Sequence, residues 1–377
     1  MKEKKDNILF LEYFPFLGGG QRITLKIIEY LKNFYNIKFI SFNDGLIVKE
    51  LRKLKIKCEI MQAPKHAKIR YLWHSIPFYF KFKKYLKYNN IKLIYCNSYF
   101  TAKLATFVVR ATNIPIIWHK HIIIENRYNS YLAQHIRNTS KYVNKIICVS
   151  NAVLESMKRI GVDNRKLCVV YNGINTLIKK KEQGGIRKKY KLKNYFVAGT
   201  IGFFRRNKGF EFLIKAALIV KQKEKNIKFF IAGKSDGDLK YENELKSLVE
   251  NFNLNDTVIF GGFIDRFKCV SDFDVFVLPS YAEPFGLVTI EAGLFEKPVI
   301  AFATGATPEI IKDGVNGFLV KEVSAEKLAE KILYVYKNRR KIKRTGKTAY
   351  KIVKEKFDEK IMQKKIHNII KEVLNEK

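Results

Sequence analysis

The stretch "DVFVLPSYAEPFGLVTIEAGLFEKPVIAF", residues 274–302, holds a fold in miniature. "DVFVLPS" is a short apolar run of the kind buried on both faces of a sheet, "GLVTIEAGLFEK" is helical in pattern from near Gly286, and "PVIAF" is a second apolar run. Two such runs joined by a helix make a crossover between parallel strands, and strands with no polar alternation belong to a sheet covered by helices. The loop "YAEPF" between run and helix carries Glu283, and Glu291 follows about a turn into the helix. Open parallel sheets bind ligands at the carboxyl ends of their strands, so both acids belong to the functional edge.

The same unit recurs on either side. "NILFLEY", "IKFISF", "KLIYCNS", "PIIWHKH", "KIICVS" and "KLCVVYN" read as buried strands in the first half, with helical stretches such as "QRITLKIIEYLKNF" and "TAKLATFVVRAT" between several of them. "TLIKKKEQGGIRKKYKLKN", residues 176–194, is charged and aperiodic, and its first part reads as a linker. The alternation then restarts with "YFVAGTIG", "IKFFIAG", "TVIFGGF", "DVFVLPS" and "PVIAF". The chain is therefore α/β, with two doubly wound Rossmann-like domains, residues 1–176 and 177–356, facing across a cleft. A final helix, about 357–377, is expected to pack back on the first domain.

A length of 377 residues suits two domains, and apolar residues are plentiful enough to fold them. The formal charge of +37 fits either a proteome-wide drift in residue usage or a binding surface. "MKEKKDNILFLEYFPFL" has a basic head, but Glu12 and Pro15 interrupt its apolar run, and no stretch approaches the roughly 20 apolar residues that cross a bilayer. The expectation is a cytoplasmic protein. Its five cysteines, none in a C-x-x-C pair, read as reduced thiols.

Four strand-end loops carry the chemistry. In "FPFLGGGQRITL", Gly18, Gly19 and Gly20 let a backbone approach a ligand beside a helix N-terminus, although a plain flexible turn fits equally well. "YFVAGTIGFFRRNKGFEFLIKA" ends a strand at Gly202, sets Arg205, Arg206 and Lys208 in the loop and opens a helix at Gly209, an arrangement suited to a diphosphate. In the third loop, Glu283 and Glu291 suit sugar hydroxyls, and the amides near Phe285, Gly286, Leu287 and Val288 suit phosphate or sugar oxygens. Either acid alone also fits a helix-dipole role. In "PIIWHKHIIIE", His119 and His121 are read as facing opposite sides of a strand, so that one of them enters the site.

Together these stretches resemble the retaining glycosyltransferases of family four, which have the GT-B fold. The resemblance also runs through "ICVSNAV", "VVYNGIN", "IAGKSDGD" and "VIFGGFI", and is most specific over residues 274–320, where Glu283 and Glu291 match the family's pair of glutamates with seven residues between them. It implies a nucleoside diphosphate sugar as donor. Glu291 then binds the ribose hydroxyls, Glu283 contacts the transferred sugar, Arg205 and Lys208 neutralise the diphosphate, Gly19 and Gly20 approach it, and His121 lies near the sugar. Phe203 stands where many relatives have the arginine, which leaves Arg205 and Arg206 as alternatives. No metal or other cofactor is implied, and "SDGD" at 235–238 reads as a turn.

The implied acceptor is a glycan or lipid-linked glycan in cell-surface polysaccharide or glycolipid assembly. Two rival readings stand beside this one: a non-transferring sugar-nucleotide enzyme of the same fold, such as an epimerase, or a basic nucleic-acid-binding protein, for which no base-reading module is present. Residues 51–92 carry twelve Lys or Arg against Glu59 alone, and "SIPFYFKFKKYLKY" sets Phe78, Phe82, Tyr85 and Leu86 on one helical face. That stripe suits an anionic membrane surface at the inner face of the cell membrane or the packing of a domain core.

Overall fold

The structure is a computed structural model and describes residues 5–63, 72–110, 112–124, 130–177, 185–235, 237, 239–340 and 342–376. It divides into two compact units, residues 1–173 with 359–377, and residues 174–358. The boundaries read from the sequence, 176/177 and 356/357, differ from these by three and two residues. Residues 178–184 of the expected linker, residues 64–71 of the basic stretch, and Asp236 and Asp238 of the 235–238 turn lie outside the described residues.

Unit 1 is built on seven strands: β1 (Asn7–Glu12), β2 (Asn36–Ser41), β3 (Cys58–Ile60), β4 (Ile91–Cys96), β5 (Ile116–Lys120), β6 (Lys145–Cys148) and β7 (Leu167–Val169), in the order β3-β2-β1-β4-β5-β6-β7. Unit 2 has six: β8 (Phe196–Ile201), β9 (Ile227–Ala232), β10 (Val258–Gly262), β11 (Val275–Leu278), β12 (Val299–Phe302) and β13 (Phe318–Val320), in the order β10-β9-β8-β11-β12-β13. Every strand pairing in the two sheets is parallel. β3 and β13 are three-residue edge strands, too short to leave a periodic signal in the sequence.

In each sheet the first strand of the unit sits in the middle, β1 between β2 and β4, and β8 between β9 and β11. Crossovers leaving such a strand run to opposite sides of the sheet, and the loops at its carboxyl end part to leave a crevice. The amino ends are closed instead. Just ahead of β11, Asp272 Oδ2 accepts the amides of Gly185, Ile186 and Arg187 at 3.0, 2.9 and 3.1 Å, and Asp274 pairs with Arg187 at 2.6 Å while accepting the amide of Val197 at 2.7 Å. These bonds fix the entry to unit 2 at the edge away from its crevice.

The last helix, Glu359–Asn375, buries Met362, Ile366, Ile370 and Val373 and belongs to unit 1, where Gln363 Nε2 donates to the carbonyl of Lys26 at 3.0 Å. The stripe on helix Leu72–Tyr88 is resolved in favour of the core: Phe78, Phe82 and Leu86 are buried, and Phe78 meets Phe42 and Phe82 with ring centroids 6.0 and 5.6 Å apart. Among its described residues Ile76, Phe80 and Tyr88 reach solvent, with Lys81, Lys84 and Lys87 beside them. Among the described residues no helix is long and apolar enough to cross a membrane.

Candidate functional site

In unit 2 the loops leaving β8 and β11 are laced together. The first closes on Gly209, whose left-handed backbone (φ +63°) and lack of a side chain are both needed, because a Cβ there would lie 2.1 Å from the carbonyl oxygen of Pro279 in the second loop. The amide of Tyr281 donates to the carbonyl of Asn207 at 3.3 Å. With the backbones so close, Lys208 Nζ reaches Glu283 Oε2 at 2.7 Å, an ion pair in which the carboxylate is buried and the ammonium partly exposed. Glu283 is fixed from behind, since its carbonyl accepts the amide of Ala306 at 2.9 Å in the loop after β12.

The three cations of the β8 loop separate. Only Lys208 joins Glu283. Arg206 turns outward to helix Leu239–Asn251, pairing with Glu244 at 2.8 Å and stacking its guanidinium 5.1 Å from the ring centre of Tyr241. Arg205 is exposed and lies 5.8 Å from the ring centre of Phe203. Gly202, at the end of β8, has ordinary contacts, a Cβ there lying 3.4 Å from Phe210.

Past Glu283, Phe285 is buried against Phe357 with ring centroids 5.9 Å apart, and Gly286 (φ +88°) turns the chain into helix Leu287–Leu294. Leu287 and Val288 form the first turn, to which no side chain adds a cap. Glu291 lies one turn further in, 2% exposed, with Arg266 Nε at 3.1 Å from its Oε1. The loops after β8 and β11 thus bring together Lys208 and Glu283, while Glu291 has a cation from the helix after β10. Arg266 was missed in the sequence, where only its place after the strand "TVIFGGF" marks it.

Unit 1 presents a second polar cluster, at the carboxyl ends of β1, β4 and β5. Gly19 and Gly20 are the first residues of helix Gly19–Leu31 rather than part of the loop before it. A Cβ on Gly20 would lie 3.3 Å from Cγ of His121, so the bare backbone lets the helix start against the imidazole. His121 Nε2 lies 2.8 Å from Asn97 Oδ1, and Asn97 Nδ2 donates to Glu12 Oε2 at 2.6 Å. Glu12 was noted in the sequence only as a break in the N-terminal apolar run and Asn97 not at all, although each is the polar residue that closes an apolar strand.

The two histidines do not face opposite sides. Their ring centroids are 4.1 Å apart, because strand side chains alternate and residues two apart share a face. His119 is fully buried with Nδ1 2.8 Å from the hydroxyl of Tyr95. Burial, with the neighbouring His121 second, holds its pKa well below that of an ordinary imidazole. His121 is lowered to about 3, by burial first and by the Lys120 ammonium second, and burial lowers Lys120 itself to about 8. The imidazole pair is neutral at physiological pH.

The sequence matches the family described as glycosyl transferases group 1 over residues 182–352, and glycosyltransferase family 4 over residues 17–176. An uncharacterized glycosyltransferase of Methanocaldococcus jannaschii is 27% identical over 352 residues, covering 91% of this chain and 92% of its own length. A capsular polysaccharide biosynthesis glycosyltransferase of Staphylococcus aureus, CapM, is 27% identical across 49% of this chain and 48% of its own length. Among solved structures, Anabaena HepE in complex with UDP-glucose superposes with a TM-score of 0.86 at 23% identity, covering 97% of this chain and 99% of that one.

The Lys208–Glu283 pair gives a testable expectation. Lys208→Met leaves a buried carboxylate unbalanced and should destabilise the unliganded protein by about 2 kcal/mol, less than the roughly 3–5 kcal/mol of a fully buried pair because the lysine is partly exposed. Adding Glu283→Gln should recover most of that loss. Urea denaturation of the parent, both single variants and the double variant measures it, and strictly additive losses would show that the two groups do not interact.

Proposed function

The chain belongs to the group 1, family 4 glycosyltransferases, and from that premise we propose that it moves a hexose-type sugar from a nucleoside diphosphate sugar to an acceptor hydroxyl, with retention at the anomeric carbon. The observation that carries this reading is the 2.7 Å contact between Lys208 and Glu283 at the carboxyl ends of β8 and β11. A lone cation there would suit any anion and a lone acid any polyol. The adjacent pair suits a molecule in which a phosphate is bonded directly to a sugar.

In this reading Lys208 takes the diphosphate and Glu283 accepts hydrogen bonds from the transferred sugar. Breaking the bond between the anomeric carbon and the phosphate oxygen leaves negative charge on the nucleotide, and a cation already in place stabilises it as it develops. The acceptor oxygen bonds to the anomeric carbon on the face the phosphate leaves, and its proton passes to the departing phosphate oxygen. Arg205 and Arg206 stand as alternatives for the second cation; Arg206 pairs with Glu244 and stacks on Tyr241, and Arg205 lies over Phe203. The first turn of helix Leu287–Leu294, entered through Phe285 and Gly286, offers amides to phosphate oxygens, with Gly202 at the β8 end and no metal required. Glu291 binds the ribose. Gly19 and Gly20 keep the role the family resemblance implies, close approach to the diphosphate, and His121 keeps its place near the sugar.

Anabaena HepE, solved with UDP-glucose, makes uridine diphosphate sugars the first donors to test. Thermal stabilisation by UDP, GDP, ADP and their common sugars identifies the base and sugar, and the absence of stabilisation by every one of them overturns the reading. The resemblance to CapM supports a glycan or lipid-linked acceptor in polysaccharide assembly.

For Glu291, the ribose role predicts that Glu291→Ala binds the nucleotide about 10- to 100-fold more weakly, from the loss of roughly 1.5–3 kcal/mol of hydrogen bonding to a charged acceptor. The parent should lose a similar amount with a 2′,3′-dideoxy nucleotide and the variant little more. Calorimetric titration of the four combinations decides, and a variant that prefers ribose as strongly as the parent removes Glu291 from that role.

A lipid-linked acceptor would place the enzyme at the inner face of the cell membrane, and Ile76 and Phe80, exposed beside Lys81 and Lys84, supply a mixed apolar and cationic surface for it. Each such cation contributes about 1 kcal/mol on anionic lipid. The protein should sediment with anionic liposomes at low salt and be released at high salt, with Phe80→Ser weakening the association. No sedimentation at either salt would exclude this surface.

A further inference from the structure

The polar chain at the carboxyl edge of the unit 1 sheet has a direction, and its direction starts at Glu12. This carboxylate is buried at the end of β1. Its Oε1 accepts the amides of Tyr13 and Phe14 at 2.8 and 3.0 Å, and its Oε2 accepts Asn97 Nδ2 at 2.6 Å. Burial raises its pKa, while these donors pull toward the ionised form.

A carboxylate has acceptors only. Asn97 must therefore turn its NH2 toward Glu12, which leaves Oδ1 against His121 Nε2 at 2.8 Å. An amide oxygen also only accepts, so Nε2 carries the proton. Because the imidazole is neutral, Nδ1 is then bare. It has no partner among the described residues, and it lies 3.6 Å from where a side chain on Gly20 would begin.

We propose that Glu12 and Asn97 are positioning residues that lock His121 with its proton on Nε2, making Nδ1 an obligate acceptor for a ligand hydroxyl and unfit to hold a phosphate oxygen. The lock follows from this cluster alone. The identity of the hydroxyl as a sugar's rests on the transferase reading above.

Glu12→Gln tests it with almost no change of shape. The new amide keeps its oxygen on the Tyr13 and Phe14 amides and turns its NH2 toward Asn97. Asn97 then turns over, presents its own NH2 to Nε2, and drives the His121 proton to Nδ1. Two-bond proton–nitrogen correlation spectra of the full chain labelled with 15N-histidine should show His121 as the Nε2–H tautomer in the parent and the Nδ1–H tautomer in Glu12→Gln. A parent with mixed tautomers, or a variant that keeps Nε2–H, overturns the lock.

Calorimetry reads the consequence. Glu12→Gln should bind UDP-glucose about 10- to 100-fold more weakly than the parent while binding UDP equally, since a donor now meets a donor. An inverted tautomer with unchanged UDP-glucose binding overturns the positioning role. If the parent binds neither UDP nor UDP-glucose, that donor is excluded, GDP with GDP-mannose and ADP with ADP-glucose take their place in the titration, and the spectra still decide the lock. Asn97→Leu serves if Glu12→Gln does not fold, and there the lock predicts that the single parental tautomer gives way to a mixture.

Discussion

An ion pair between residues 75 positions apart in the chain, Lys208 and Glu283, is the contact on which the functional reading of unit 2 depends. Nothing local brings it about. β8 and β11 become neighbours only because the crossovers from β8 pass to β9 on one side while a later strand returns on the other, so two loops distant in sequence emerge side by side. Gly209 then removes the last obstacle between them by offering no side chain to the Pro279 carbonyl. Sheet order creates the meeting point, a glycine permits the approach, and the two charges occupy it.

The two units deploy polarity in opposite ways at equivalent places. At the carboxyl edge of unit 2 the groups are charged, Lys208 with Glu283 and Arg266 with Glu291. At the same edge of unit 1 the histidines are kept neutral by burial and the one carboxylate, Glu12, is saturated by hydrogen bonds. The neutral imidazoles there stand between two charged groups, the Lys120 ammonium and the Glu12 carboxylate. The net charge of +37 says little about either edge, since several of its cations, Lys81 and Lys84 among them, lie on exposed helix faces.

What the sequence revealed follows from how far each signal extends along the chain. The long apolar strands and the helix after Phe285 carry their own pattern, so the parallel α/β organisation and the places of Glu283 and Glu291 could be read directly. Edge strands β3 and β13 span three residues each and were not read, whereas β7, equally short, showed through the longer apolar run "KLCVVYN". Partnerships across strands were closed to sequence reasoning: Arg266 meets Glu291 from a different helix, and Glu12, Asn97 and His121 come from three strand ends. His119 and His121 show a different lapse, because the period of two in a strand already placed them on one face. The pairing of Arg206 with Glu244, far away in sequence and near in space, was closed to sequence reasoning in the same way.

The central claim is that this chain breaks the bond between a sugar's anomeric carbon and a nucleoside diphosphate and passes the sugar on without inversion. Proton NMR of the anomeric signal, followed from the first minutes after the protein meets the sugar nucleotide that stabilises it most, observes that event directly. The account predicts that the new signal, from transferred or released sugar, appears first in the donor's own anomeric configuration. A new signal in the opposite configuration, or a donor that binds and is never cleaved, would contradict it.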